Sequence, residues 1–178
     1  MGSDKAALII EGRSLLARAI DACADCSVIV VVAADTPADV EPSRVTRTLE
    51  DPPFGGPVAG LAAGLAALPP ADPGDEVLVL ACDLPRVAAA VRTLIDAPLG
   101  PDGSCLADAD GRPSYLTGRY RRAALRRAVP AAARNLSVTG VLSGLRLHAA
   151  AAPELTDDLD TPEQAVAAEA TAPASSPD

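Results

Sequence analysis

The chain has 178 residues, a length that suits one ordinary domain burying about two-thirds of the surface its unfolded form exposes. Hydrophobic residues make up 49% and aromatics only 2%, so the core is expected to be built from Ala, Val, Leu and Ile. A formal net charge of -9 excludes a general nucleic-acid or anionic-membrane surface, which would reward clustered Lys and Arg, but leaves open a small polyanion held by a few local cations.

The opening "MGSDKAAL" reads like the end of an anion-holding loop with no glycine run before it. Ser14 is placed to cap a helix whose Leu15, Leu16, Ala19, Ile20 and Cys23 follow helical spacing, ending near Asp25. The β-branched run "SVIVVVA" predicts a strand covered on both faces, hence a parallel sheet. Ser27 to Ala34 is the longest apolar run and far too short to span a bilayer; with no leader pattern, a cytoplasmic location is expected. "RVTRTLE" predicts a weaker strand and "DPPFGGP" a loop. Pro57 then opens a helix through "VAGLAAGLAAL", whose Gly60 and Gly64 lie four apart and favour close approach to the sheet. Past the breaker "PPADPGD", "EVLVLA" predicts a second strong strand that stops at Cys82-Asp83-Leu84-Pro85, and "RVAAAVRTLIDA" a returning helix.

Further on, "SCLAD" and "PSYLTGRY" read as short strands, "RRAALRRAV" and "SVTGVLSGL" as helices, and "RLHAAA" as an edge strand. Thr161 and Pro162 start a last helix before the small-residue tail "TAPASSPD", giving one domain over 1–170 and a tail over 171–178. Alternating strands and helices predict a doubly wound, mostly parallel α/β fold with three layers. No internal repeat is visible.

Cys23 and Cys26 form a lone CxxC, half of a structural zinc site, and read as helix-end cysteines. His148 is the sole histidine, so Ser/His/Asp or Cys/His catalysis would hang on it alone; it is assigned no role. Arg119, Arg121, Arg122, Arg126 and Arg127 run around a helix rather than down one face, which favours solvation.

Ligands of doubly wound sheets sit beyond the carboxyl ends of the strands. Asp51, Asp83, and the pair Asp158 and Asp160 all fall in loops there. Gathered at one edge, such acids suit magnesium, which takes a few carboxylates plus waters and substrate phosphates. Each also has a local explanation, since Asp is common in turns and Asp160 precedes a helix. Asp83, at the end of a buried strand, has the strongest claim to a ligand. Lys5 alone would be an ordinary solvated lysine.

Taken in order, "MGSDKAAL", "LEDPPFGGPVAGLAAGL", "VLACDLP", "DGRPSYLTGRYRRAAL" and "DDLDTPEQA" resemble the molybdenum cofactor guanylyltransferase family, of the MobA-like, Rossmann-like nucleotidyltransferase fold, up to about Glu169. The resemblance implies transfer of GMP from GTP to the phosphate of molybdopterin. It implies Lys5 as the phosphate-contacting lysine, Asp51 as the acid that contacts the nucleotide, and Asp83 as the ligand of Mg2+. GTP, the molybdenum cofactor and molybdoenzymes or cofactor-handling proteins would be the partners, with no nucleic acid and no membrane.

Two departures matter. The family's first strand and Leu-Ala-Gly-Gly loop, normally ahead of this Met, are missing, which would leave "SVIVVVA" and "EVLVLA" without their shared neighbour and expose backbone groups. The expected cause is a start codon placed too late, which reading the in-frame upstream codons would test. Second, some members carry an Asn at the position of Ala33 that touches the nucleotide, a bond alanine cannot make. Base choice therefore stays open: the alternatives are cytidylyl transfer to the same cofactor, another phosphate acceptor, or a non-catalytic truncated relative that binds cofactor or partner.

Overall fold

The computed structural model describes residues 5–70, 72 and 74–156, so the last predicted helix, the tail, Asp158 and Asp160 lie outside the described residues. A 3-10 turn over Lys5–Ala7 leads into a small hairpin, β1 (Ile9–Ile10) and β2 (Arg13–Ser14), followed by α1 (Leu15–Ala22), β3 (Val30–Val32) and β4 (Thr46–Thr48). Then come α2 (Pro57–Ala67), β5 (Glu76–Leu80), α3 (Val87–Asp96), β6 (Gly103–Ala107), β7 (Pro113–Arg121), α4 (Arg122–Ala128), α5 (Val138–Leu142) and β8 (Leu147–Ala151).

The strands do not form one sheet. Among the described residues β3 pairs in parallel with β4 alone, while the larger sheet has the order β5-β7-β6-β8. In it β7 runs antiparallel to both neighbours and β8 lies parallel to β6 at the edge, as "RLHAAA" predicted. Parallel pairing is thus a smaller share of the ladders than the β-branched run suggested, because the turn between β6 and β7 is short enough to make them a hairpin. Among the described residues no strand pairs with both β3 and β5.

Helices hold the two sheets together. On one side, α1 sets Leu16 and Ile20 against Val31 of β3, and Ala19 against Leu84, Val87 and Val91, beside Leu78 and Leu80 of β5. On the other, α2 sets Val58 and Leu65 in a core with Val79, Tyr120, Leu125 and Leu142, while Gly60 and Gly64 face Val32. Alternate residues of β5 serve opposite faces, Val77 and Val79 toward α2 and Leu78 and Leu80 toward α3, as the period-two geometry of a strand requires. α3 closes its own face with Ala90 and Leu94 against Leu106 and Leu155. The three-layer reading holds, with a sheet layer split into two.

Close approach rests on one glycine more than the other. A Cβ on Gly64 would meet Val32 Cγ2 at 3.2 Å, whereas one on Gly60 would meet Val32 Cγ1 at 3.8 Å, ordinary contact. Gly60→Ala is therefore expected to stabilise the protein by about 0.5–1 kcal/mol through helix propensity. Gly64→Ala should lose most of that gain by displacing Val32. Urea unfolding of the two variants reads the difference.

The hairpin was not legible beforehand. Glu11 and Gly12, at φ 52° and 74°, make its two-residue turn, and an Arg-Ser strand carries no propensity signal. Its stability comes from caps. Ser14 Oγ accepts from Ala17 N at 3.1 Å as the α1 cap, and donates to Asp39 at 2.8 Å while Ser14 N donates to the same carboxylate at 2.9 Å. The Ser14 backbone amide in particular holds the Asp39 carboxyl below its ordinary range. Arg44 and Arg13 do so for Asp21, against a smaller desolvation effect, and Arg146 for Asp102.

All three pKa values are depressed on folding. The stability they contribute is present above the ordinary carboxylate range and is lost as the pH falls through the lowered folded-state values. The urea midpoint is expected to stay level from about pH 7 to 5 and to fall below about pH 4. Ser14→Ala should lower the plateau by about 1 kcal/mol through the lost cap and leave most of the acid decline in place, because alanine keeps the backbone amide that holds Asp39.

Candidate functional site

Lys5 and Asp83 meet. The Lys5 Nζ lies 3.3 Å from Asp83 Oδ2, across 78 residues of sequence, with side-chain exposures of 35% and 20%. Each is positioned by its own neighbourhood. Lys5 starts the 3-10 turn that Leu8 N closes on the Lys5 carbonyl at 3.1 Å, and Ala6 anchors that turn against α1 and β3. Asp83 follows the end of β5, in a turn pinned by Leu84, which is only 2% exposed and packs on Val87 and Val91. An apolar residue directly after the acid explains why the carboxylate stays at the surface while its backbone is fixed.

Arg18, which has no role in the sequence analysis, joins the two segments. Its Nη1 reaches the Ile10 carbonyl at 3.4 Å and Glu11 Oε2 at 2.7 Å, and its Nη2 reaches the Pro85 carbonyl at 3.4 Å. The guanidinium fork thus ties the hairpin after Lys5 to the turn that carries Asp83. One signal was available: Arg18 and Asp21 are the two charged residues inside the otherwise apolar "LLARAIDA".

Asp51 is not part of that pair. It is exposed in the loop that leaves the carboxyl end of β4, on the rim of a cavity of about 730 Å3. Ala59, Ala62 and Ala66 of α2 give this cavity an apolar wall, and Glu50, Arg126 and Arg134 also line it. Gly55 N-terminal to α2 is buried, and a Cβ there would lie 2.6 Å from Ala59 Cβ, so glycine alone lets the loop sit this close to the helix. Across the loop, Asn135 N donates to the Gly55 carbonyl at 2.7 Å. Ala33 lies at the carboxyl end of β3, where its amide donates to the Thr48 carbonyl at 3.0 Å.

Arg121, Arg126 and Arg127 are exposed, as their spacing suggested, but Arg122 and Arg119 depart from that solvated set. Arg122 is 4% exposed and reaches Asp75 at 3.1 Å as well as the Pro69 carbonyl. Arg119 pairs with Glu76 at 2.6 Å, and Arg126 donates to the Leu65 carbonyl at 2.8 Å. Carboxylates and carbonyls from distant elements captured them, which helix periodicity alone does not reveal. Cys23 caps α1 and Cys26 follows in its closing turn; burial, together with Cys26, pushes the Cys23 thiol up to about 12. Among the described residues no three His, Cys, Asp or Glu side chains gather as a metal cage, and no helix is long and apolar enough to cross a membrane.

Comparison with known proteins adds to this geometry. Residues 1–154 match the family model described as the MobA-like NTP transferase domain. A protein of Trichormus variabilis named probable molybdenum cofactor guanylyltransferase is 36% identical over 89 residues, which is 49% of this chain and only 41% of that protein's length. Among solved structures, molybdopterin-guanine dinucleotide biosynthesis protein A from Archaeoglobus fulgidus superposes with a TM-score of 0.61 at 18% identity, over 95% of this chain and 90% of that one. A nucleotidyl transferase from Methanothermobacter thermautotroptrophicus gives a TM-score of 0.61 at 20% identity, over 93% and 83% of the two chains. These two likenesses establish a shared fold.

Proposed function

This chain belongs to the MobA-like NTP transferase domain family, and on that premise we propose that it moves GMP from GTP to the phosphate of molybdopterin, releasing pyrophosphate. The observation that carries the reading is the 3.3 Å approach of Lys5 Nζ to Asp83 Oδ2, a cation and a carboxylate brought together past the carboxyl end of β5. That is where an α/β sheet meets its ligand.

In the proposed reaction an oxygen of the acceptor phosphate forms a bond to the α-phosphorus of GTP, and the bond from that phosphorus to the bridging oxygen of pyrophosphate breaks. Negative charge grows around the phosphorus and on the departing pyrophosphate. The Lys5 ammonium, held beside that position, stabilises this charge more than it stabilises the ground state. Positioning and charge neutralisation dominate such a transfer, so a chain with one histidine meets its demands. Asp51 is the proposed nucleotide contact, from the loop that follows β4.

Mg2+ fits the donor set at Asp83, a single partly exposed carboxylate, because this cation keeps one or two protein carboxylates and completes its shell with water and substrate phosphates. When bound, it would neutralise charge on the phosphates, with Asp83 as its protein ligand. The same reading makes molybdoenzymes or cofactor-handling proteins the recipients and the cytoplasm the site of action.

The test follows pyrophosphate release by the full chain with magnesium, molybdopterin and each nucleoside triphosphate in turn. Release with GTP alone is expected. Equal release with CTP would redirect the assignment to cytidylyl transfer, and no release with any nucleotide would overturn it.

A further inference from the structure

Phe54 is the sole phenylalanine in a chain with two tyrosines and no tryptophan. Tyr120 is fully buried and Tyr115 half-buried, whereas Phe54 is 90% exposed. An aromatic-poor protein has thus left one of its three rings in water. The backbone is unfavourable as well, since Phe54 holds a φ of 62°, a left-handed conformation that bulky side chains seldom adopt. Strain of this kind persists only where the surroundings impose it.

Here they do, from both sides. The Phe54 amide donates to Glu50 Oε1 at 3.1 Å, and the next carbonyl, that of Gly55, accepts from Asn135 N at 2.7 Å. Gly55 is wedged against Ala59, and Pro52 and Asp51, just before Phe54, line the 730 Å3 cavity. The loop is therefore a fixed backbone mount, and what it presents to solvent is a ring two residues past Pro52 of the cavity lining.

Resting on the nucleotidyl-transfer reading, we infer that Phe54 is a stacking platform for the planar heterocycle of a substrate, either the base of the nucleotide or the pterin of the acceptor. Both are flat aromatic systems with a polar edge. A phenylalanine ring on a fixed backbone has two side-chain torsions to lose when it covers one face of such a system, and stacking of this type tolerates differences in the heterocycle. Phe54 is thereby assigned to substrate binding, and Lys5 and Asp83 to charge.

The experiment titrates the full wild-type chain, Phe54→Gly and Phe54→Tyr with magnesium and GTP, with CTP, with inorganic triphosphate, and with molybdopterin. Glycine accepts the left-handed φ freely, so Phe54→Gly should melt at or above the wild-type temperature. Its affinity for the heterocycle-bearing ligand should nonetheless fall about tenfold or more, with triphosphate binding unchanged and Phe54→Tyr retaining most of the affinity. A loss shared by GTP and CTP assigns the platform to the base; a loss confined to molybdopterin assigns it to the pterin. Equal affinities of wild type and Phe54→Gly for all the ligands overturn the inference, as does a loss equally large for triphosphate. Self-association in sedimentation that disappears in Phe54→Gly, with ligand affinities intact, would overturn it in favour of a protein contact. A wild-type chain that binds none of the ligands overturns the nucleotide reading itself and the platform with it, an outcome distinct from the others.

Discussion

Asp83→Asn is expected to lower the rate of pyrophosphate release by about two to three orders of magnitude, the usual cost of removing one preorganised charge contact from a transition state. The change is isosteric, and Leu84 and the turn around it stay packed. The ion pair with Lys5 joins side chains that are 35% and 20% exposed, so its loss costs stability at most about 1 kcal/mol, a few degrees in Tm. A collapse of activity with an almost unchanged melting curve is the signature of a group that acts on phosphate. Lys5→Met should behave in the same way, since the methionine keeps the length of the stem without its charge. If either variant kept more than about a third of the wild-type rate, the assignment of these residues would be overturned.

Gly103→Ala should be the most damaging single methyl in the main sheet. Gly103 opens β6 at a φ of 149°, and a Cβ there would stand 2.5 Å from the Arg119 carbonyl oxygen and 2.9 Å from Tyr120 Cα. Both obstacles are backbone of the paired strand β7, so no side-chain rotation relieves the clash. Overpacking and the unfavourable dihedral together should cost about 3–5 kcal/mol, a large part of the stability of an ordinary domain. Denaturant unfolding measures it. A loss below about 1 kcal/mol would mean that the β6–β7 ladder slides to admit the methyl.

Elements with a strong local pattern were legible in advance. α1 announced itself through Ser14 and its apolar stripe, and β5 through an unbroken run of apolar residues, and these two elements frame the Lys5–Asp83 pair. What stayed hidden depended on partners far away in sequence. Arg18 looked like any helical arginine until the hairpin and the Pro85 turn came to it. Nothing in the spelling of "RRAALRRAV" says that Arg122 finds Asp75 and a proline carbonyl. The direction of β7 was also illegible, because period-two alternation is the same in a parallel and an antiparallel strand. "DPPFGGP" was read correctly as a loop, yet the left-handed residue in it proved to be Phe54 as well as a glycine.

The division of the sheet layer has a mechanical consequence. Forces between β3 and β5 pass through the side chains of α1 and α2, contacts that slide more readily than a ladder of amide hydrogen bonds stretches. The three-residue β3–β4 ribbon should open as its own cooperative unit and exchange its amide protons well before the β5–β8 sheet does. Lys5, whose turn leans on the ribbon through Ala6, and Asp83, rooted in the larger sheet, would then ride on opposite sides of a natural shear plane.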